Sequence, residues 1–160
     1  MAFDSNLKIG VLGGGQLGRM MIQSAIDFNL DIHVLDPDPN APCKCIATSF
    51  ETGSLTDYER VMAFGQDKDL LTIEIENVNT QALSELEKQG KKVFPQPRVI
   101  ELIQNKLHQK KFYAANGIPT AEFQEVSGAA EVAQKKDFLP FVNKLATGGY
   151  DGRGVQVIRT

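Results

Sequence analysis

Residues Leu7 to Phe28 run from an apolar segment through three successive glycines into a helical pattern, and few folds accept that order. Leu7 to Leu12 reads as a buried strand, Gly13-Gly-Gly15 as a tight turn, and Gln16 to Phe28 as a helix with Leu17, Met20, Met21 and Ser24 at helical spacing. Such a junction opens a parallel α/β unit, since neighbouring parallel strands must be joined by a crossover, usually a helix. The alternation then repeats. Asp31 to Leu35 reads as a strand closed by Asp36-Pro-Asp-Pro39, Cys45 to Ser49 as a short third strand, and Thr56 to Gly65 as a helix with Thr56 and Glu59 spaced as a capping box. Asp69 to Glu74, Asn79 to Gly90 and Lys92 to Phe94 continue as strand, helix and strand. The expected fold class is α/β, a Rossmann-like parallel sheet with helices on both faces, over residues 1–97.

The pattern changes after Pro95-Gln-Pro97. Residues 98–118 read as a helical connection, Arg98 to Gln104 and Lys106 to Asn116, ended by Gly117-Ile-Pro119. Residues 119–160 read as the opening of an α+β unit. Its elements are a strand from Ala121 to Val126, a helix from Ala129 to Lys136, and a hairpin of Phe141 to Leu145 with Val155 to Arg159. A segment this short cannot bury a sheet unaided, and its strand edges need partners.

Composition removes several classes of function. Of 160 residues, 42% are hydrophobic and 23% charged, as in soluble globular proteins. A net charge of −3 supplies no basic field for nucleic acid or an anionic membrane, so any phosphate site must be local. No long apolar run or signal segment stands out, and a cytoplasmic location is expected. Cys43 and Cys45, with only the isolated His33 and His108 to help, read as buried or loop thiols and not as metal ligands.

Three features carry chemistry. Gly13-Gly-Gly-Gln-Leu-Gly18 satisfies G-x-G-x-x-G between strand and helix, and Asp36 ends the second strand where a dinucleotide fold places a ribose-binding carboxylate. On form this is a nicotinamide fingerprint, but such a turn binds other phosphates equally, or simply packs helix on strand. Gln16 and Leu17 are larger than a pyrophosphate loop favours, and Gln16 can hydrogen-bond a ligand. Glu74 and Glu76 share one face of a strand that otherwise reads as buried. They either project into a ligand crevice at the strand's carboxyl end or fray into a solvated loop. Last, Gly148, Gly149, Gly152 and Gly154 form a loop downstream of Lys144, as in a flap over nucleotide phosphates. It is not a Walker loop, because its lysine precedes the glycines.

Together, Gly13 to Met20, Thr72 to Val78, Asn105-Lys106, Asn116 to Thr120 and Gly148-Gly-Tyr-Asp-Gly-Arg-Gly154 resemble one family over essentially the whole chain. It is the N5-carboxyaminoimidazole ribonucleotide synthetase family of purine biosynthesis, ATP-grasp ligases also called the ATPase subunit of phosphoribosylaminoimidazole carboxylase. The resemblance implies a pre-ATP-grasp domain followed by the start of an ATP-grasp domain. It also implies ATP- and bicarbonate-dependent carboxylation of aminoimidazole ribonucleotide through carboxyphosphate, with ADP and phosphate released. It places Gln16 and Leu17 against the ribonucleotide and Glu74 at its ribose or base end. Lys106 and Lys144 would contact ATP, with the loop Gly149, Tyr150, Asp151, Gly152, Arg153, Gly154 and Val155 closing over the phosphates.

Tyr150 and Arg153 would also meet the ribonucleotide, and Asp151 and Arg153 would be catalytic. Asp151 would orient or deprotonate the attacking amine, or equally serve only to shape its turn. The family continues well beyond this length and is commonly dimeric, so a homodimer is expected of a full-length chain. Its acidic Mg²⁺ ligands are expected outside these residues, which are not expected to turn over alone. The rivals are a related ATP-grasp formyltransferase acting on glycinamide ribonucleotide, a nicotinamide-dependent oxidoreductase and a non-catalytic ribonucleotide-binding module.

Overall fold

The computed structural model describes residues 7–149 and 153–159. The chain forms two compact units, Met1–Glu101 and Leu102–Thr160.

The first unit is the parallel sheet that the strand and helix alternation predicts. Strands β1 (Lys8–Leu12), β2 (Asp31–Asp36), β3 (Ser49–Thr52), β4 (Leu70–Ile73) and β5 (Lys92–Val93) lie in the order β3-β2-β1-β4-β5, every neighbour parallel. Helices α1 (Gln16–Ile26), α2 (Tyr58–Gly65), α3 (Thr80–Lys88) and α4 (Pro97–Gln104) connect or follow them. Because successive side chains on a strand point to opposite faces, the sheet feeds two cores. Val11, Ile32 and Val34 pack with Ile22 and Ala25 of α1 on one side. Leu12, Leu35 and Leu71 pack with Val61 and Phe64 of α2 and Leu83 and Leu86 of α3 on the other. Each such side chain withdrawn from water contributes about 1.5–3 kcal/mol.

Local chemistry sets the helix starts. Asp57 caps α2 by accepting the Arg60 N–H at 2.7 Å, so the cap is Asp57 and the helix does not begin with a Thr56–Glu59 box. Asn79 caps α3 through the Ala82 N–H at 2.8 Å.

Other departures have physical causes. The third strand lies at Ser49–Thr52 and not Cys45 to Ser49, because backbone bonds from Ile46 and Ala47 back to the Cys43 carbonyl wind the preceding residues into turns. In α1 the buried residues are Gly18, Ile22 and Ala25, whereas Leu17 and Met20 are 66% and 54% exposed. A Cβ on Gly18 would lie 3.0 Å from the Cys43 sulfur, so close approach at a glycine, not the largest apolar residues, fixes the helix's inward face.

The second unit contains α5 (Lys106–Ala115), α6 (Ala129–Ala133), a 3₁₀ turn at Lys136–Phe138, and the antiparallel hairpin of β6 (Phe141–Lys144) and β7 (Val155–Ile158). The hairpin agrees with expectation, but Ala121 to Val126 is not a strand. Lys110 Nζ instead holds the start of that segment through Thr120 Oγ1 and the Ala121 carbonyl, at 2.5 and 3.1 Å, and Lys111 pairs with Glu125 at 2.6 Å. The helix expected from Ala129 to Lys136 stops at Ala133. No described residue from 102 to 159 is buried, and the cross-strand pair Val142 and Val157 is 50% and 58% exposed.

On β2, His33 Nδ1 lies 2.7 Å from Ser49 Oγ, and its buried Nε2 has no partner among the described residues. Burial, then the Lys68 ammonium, push its pKa below the ordinary 6.5, against the opposing pull of Asp31 and Asp67; Lys8 pushes the same way as Lys68. The unfolded chain therefore takes up this proton first, and stability falls as the pH drops through about 6.5. Urea unfolding at pH 8 and pH 5.5 should show that loss, and His33→Gln should reduce it. An identical pH slope in the variant would exclude His33 as the source.

Candidate functional site

The glycine turn is fastened on every side. The Gly13 N–H donates to the Leu35 carbonyl at 2.9 Å, and the Gly14 carbonyl accepts the Cys43 N–H at 3.0 Å. The Gly15 carbonyl accepts the Arg19 N–H at 3.0 Å and lies 3.6 Å from the Cys43 sulfur. Cys43 is thus a buried structural thiol, its pKa raised first by burial and then by the charges of Glu74 and Asp36, while Cys45 is exposed.

Gly15 caps α1 with no side-chain hydrogen bond, and no acidic residue occupies the first turn. The first N–H groups of that helix therefore lack a side-chain cap from the protein. Beside them sits Glu74, the residue after β4, anchored by its N–H to the Leu12 carbonyl at 2.8 Å. A Cβ built on Gly15 would lie 2.6 Å from Glu74 Oε1, and one on Gly13 2.8 Å from Oε2. Gly13 also has a φ of 105°, which other residues rarely adopt. The turn is bare because a carboxylate occupies the space its side chains would fill. Gln16, Leu17 and Glu74 are thereby brought together, with Gln16 and Leu17 exposed. Glu76 lies beyond the end of β4, so strand alternation does not pair it with Glu74.

Asp36, the carboxylate of the nicotinamide reading, faces the same turn. Its Oδ2 accepts the Gly14 N–H at 2.6 Å and its Oδ1 the Asp38 N–H at 2.7 Å.

In the second unit, Lys144 and Val155 are cross-strand partners where the hairpin meets its loop. Gly148 and Gly154 have φ of 74° and 68°, values that favour glycine, and the Gly154 carbonyl accepts the Leu145 N–H at 2.9 Å. Lys106 reaches this loop from α5: its N–H donates to the Ala146 carbonyl at 2.8 Å and its Nζ to the Gly149 carbonyl at 2.5 Å. Lys106, Lys144, Gly149, Arg153, Gly154 and Val155 thus belong to one loop region; Tyr150, Asp151 and Gly152 lie outside the described residues. Asn105 has a part not foreseen, since its Oδ1 accepts the Leu107 and His108 N–H groups at 3.0 and 3.1 Å and so fixes the helix start that carries Lys106. Asparagine before a helical run is the signal that would have found it.

The sequence model of the ribonucleotide synthetase preATP-grasp domain family matches residues 6–104. The chain belongs to this family. It is 40% identical over 158 residues to the phosphoribosylaminoimidazole carboxylase of Ogataea methanolica, an alignment covering 94% of this chain and 29% of that protein. Among solved structures, the carboxyaminoimidazole ribonucleotide synthase of Aspergillus clavatus complexed with ATP is 40% identical, with a TM-score of 0.89 over 98% of this chain and 42% of that one. The Aspergillus clavatus enzyme with ADP and 5-aminoimidazole ribonucleotide gives 37% identity and a TM-score of 0.83, again over 98% and 42%. The chain therefore spans less than half the length of these relatives.

Proposed function

We propose that the protein serves the ATP- and bicarbonate-dependent carboxylation of 5-aminoimidazole ribonucleotide to N5-carboxyaminoimidazole ribonucleotide, releasing ADP and phosphate, in purine biosynthesis. The observation that carries this reading is its 37% identity to a synthase whose structure holds ADP and that ribonucleotide. The site chemistry supports it. Gln16 and the first-turn N–H groups of α1 donate to the ribonucleotide, Leu17 packs against it, and the Glu74 carboxylate accepts from its hydroxyl or amine groups. Lys106, Lys144 and Arg153 are cations of the kind a polyphosphate needs, and glycines at positive φ let the loop backbone approach one closely. ATP, when bound, supplies the phosphoryl group that activates bicarbonate. Asp151 orients the attacking amine or takes its proton, and Arg153 offsets charge developing on the transferred oxygens. Among the described residues no three His, Cys, Asp or Glu side chains converge to hold a metal ion, so no Mg²⁺ ligand is assigned.

Calorimetric titration of the protein with aminoimidazole ribonucleotide, glycinamide ribonucleotide and NADH tests the reading. Binding of the first and neither of the others is expected, without ribonucleotide-dependent ATP hydrolysis by these 160 residues alone. Preference for glycinamide ribonucleotide or NADH would overturn the substrate assignment. Turnover at the rate of an intact synthetase would overturn the expectation that this chain is inactive by itself.

A further inference from the structure

Two carboxylates flank the glycine turn, and they do different work. Glu74 lies over Gly13 and Gly15 with its oxygens at the turn's open side. Asp36 faces Gly14 from the end of β2, with each oxygen accepting one backbone N–H, at 2.6 Å from Gly14 and 2.7 Å from Asp38. Hydrogen bonds from backbone N–H to a carboxylate are among the stronger ones a protein makes. Gly14 lies close against β2, since a Cβ there would fall 3.0 Å from Val34 Cγ1 and 3.2 Å from Asp36 Cβ. The Asp36 bond to Gly14 thus joins the bonds from Gly13 to Leu35 and from Cys43 to Gly14 in setting the height of the turn above the sheet. That height fixes where the N–H groups of Gly15 to Leu17 stand relative to the Glu74 carboxylate.

We propose that Asp36 is a positioning residue for ribonucleotide recognition, holding the glycine turn so that the start of α1 and the Glu74 carboxylate meet the same ligand. The inference rests on the function proposed above.

Asp36→Asn tests this, because an amide accepts one of the two N–H groups and confronts the other with its own NH₂. Calorimetry should show a rise of about tenfold or more in the Kd for aminoimidazole ribonucleotide, as expected for losing one charged hydrogen bond, with ATP affinity unchanged. The Gly14 amide proton should also move upfield in the NMR spectrum. A residue that only stabilises the fold would lower the urea midpoint and leave the Kd of the folded protein as it was. Equal ribonucleotide affinity in wild type and variant overturns the proposal while leaving the assigned function intact. No ribonucleotide binding by wild type overturns both. Should Asp36→Asn fail to fold, Asp36→Glu keeps the charge but seats it one methylene away, and the same selective loss is expected. Undiminished affinity in that variant would equally overturn the proposal.

Discussion

Replacing Gly15 with alanine is expected to leave the protein folded and to weaken aminoimidazole ribonucleotide binding by roughly tenfold to a hundredfold. The new methyl carbon would stand 2.6 Å from Glu74 Oε1, the far end of a flexible side chain, so the carboxylate moves and the backbone stays. Gly15 has φ −71° and ψ −163°, which alanine adopts without strain, and the unfolded chain loses freedom in exchange. Unfolding free energy should therefore change by less than about 1 kcal/mol. Gly13→Ala provides the contrast. It meets the same carboxylate at 2.8 Å but also carries a φ of 105°, so it should lose stability and binding together. Calorimetry paired with urea unfolding reads both quantities. If Gly15→Ala binds the ribonucleotide as wild type does, the carboxylate beside the turn is not the recognition element.

Phe64→Ala should be the most damaging single change to the first unit. The ring is 2% exposed in the core that α2 and α3 build on the sheet, and truncating such a residue costs about 3–5 kcal/mol. For a protein of this size that lowers the melting temperature by about 10 °C. The loss has a second source. The buried Lys68 ammonium lies 4.9 Å from the ring centroid and pairs with Asp67, so removing the ring also strips a cation of its apolar cover and its π face. A melting temperature within two or three degrees of wild type would contradict the packing described.

How much was legible follows from the range of each interaction. The parallel sheet was readable because strand and helix alternate at short intervals, and Glu74 stood out because a carboxylate is costly inside an apolar run. Helical spacing alone did not reveal the inward face of α1, because Leu17, Met20 and Met21 are its larger apolar residues and yet are not the buried ones. The deciding contact is between Gly18 and Cys43, which belong to different segments. The third strand was placed too early for a related reason. Cys43 is drawn under the glycine turn and takes its neighbours into turns with it. The motif at Gly13 to Gly18 satisfied the nicotinamide pattern in full, and the pattern alone did not show that Asp36 bonds back to Gly14. Likewise the contact between Lys106 and the Gly149 carbonyl joins residues that no periodicity links.

The division of β1 between two cores has a consequence for folding. Val11 and Leu12 are neighbours in sequence yet belong to different hydrophobic clusters, so sliding this central strand by one residue would exchange the occupants of both at once. Gly10 adds a keyhole to that lock. A Cβ at its position would fall 2.8 Å from Leu71 Cδ2 and 3.0 Å from Phe64 Cε1, so neither Ile9 nor Val11 fits there. The strand that delivers the chain into the glycine turn therefore has a single admissible alignment, and the turn inherits its position from that alignment before any ligand arrives.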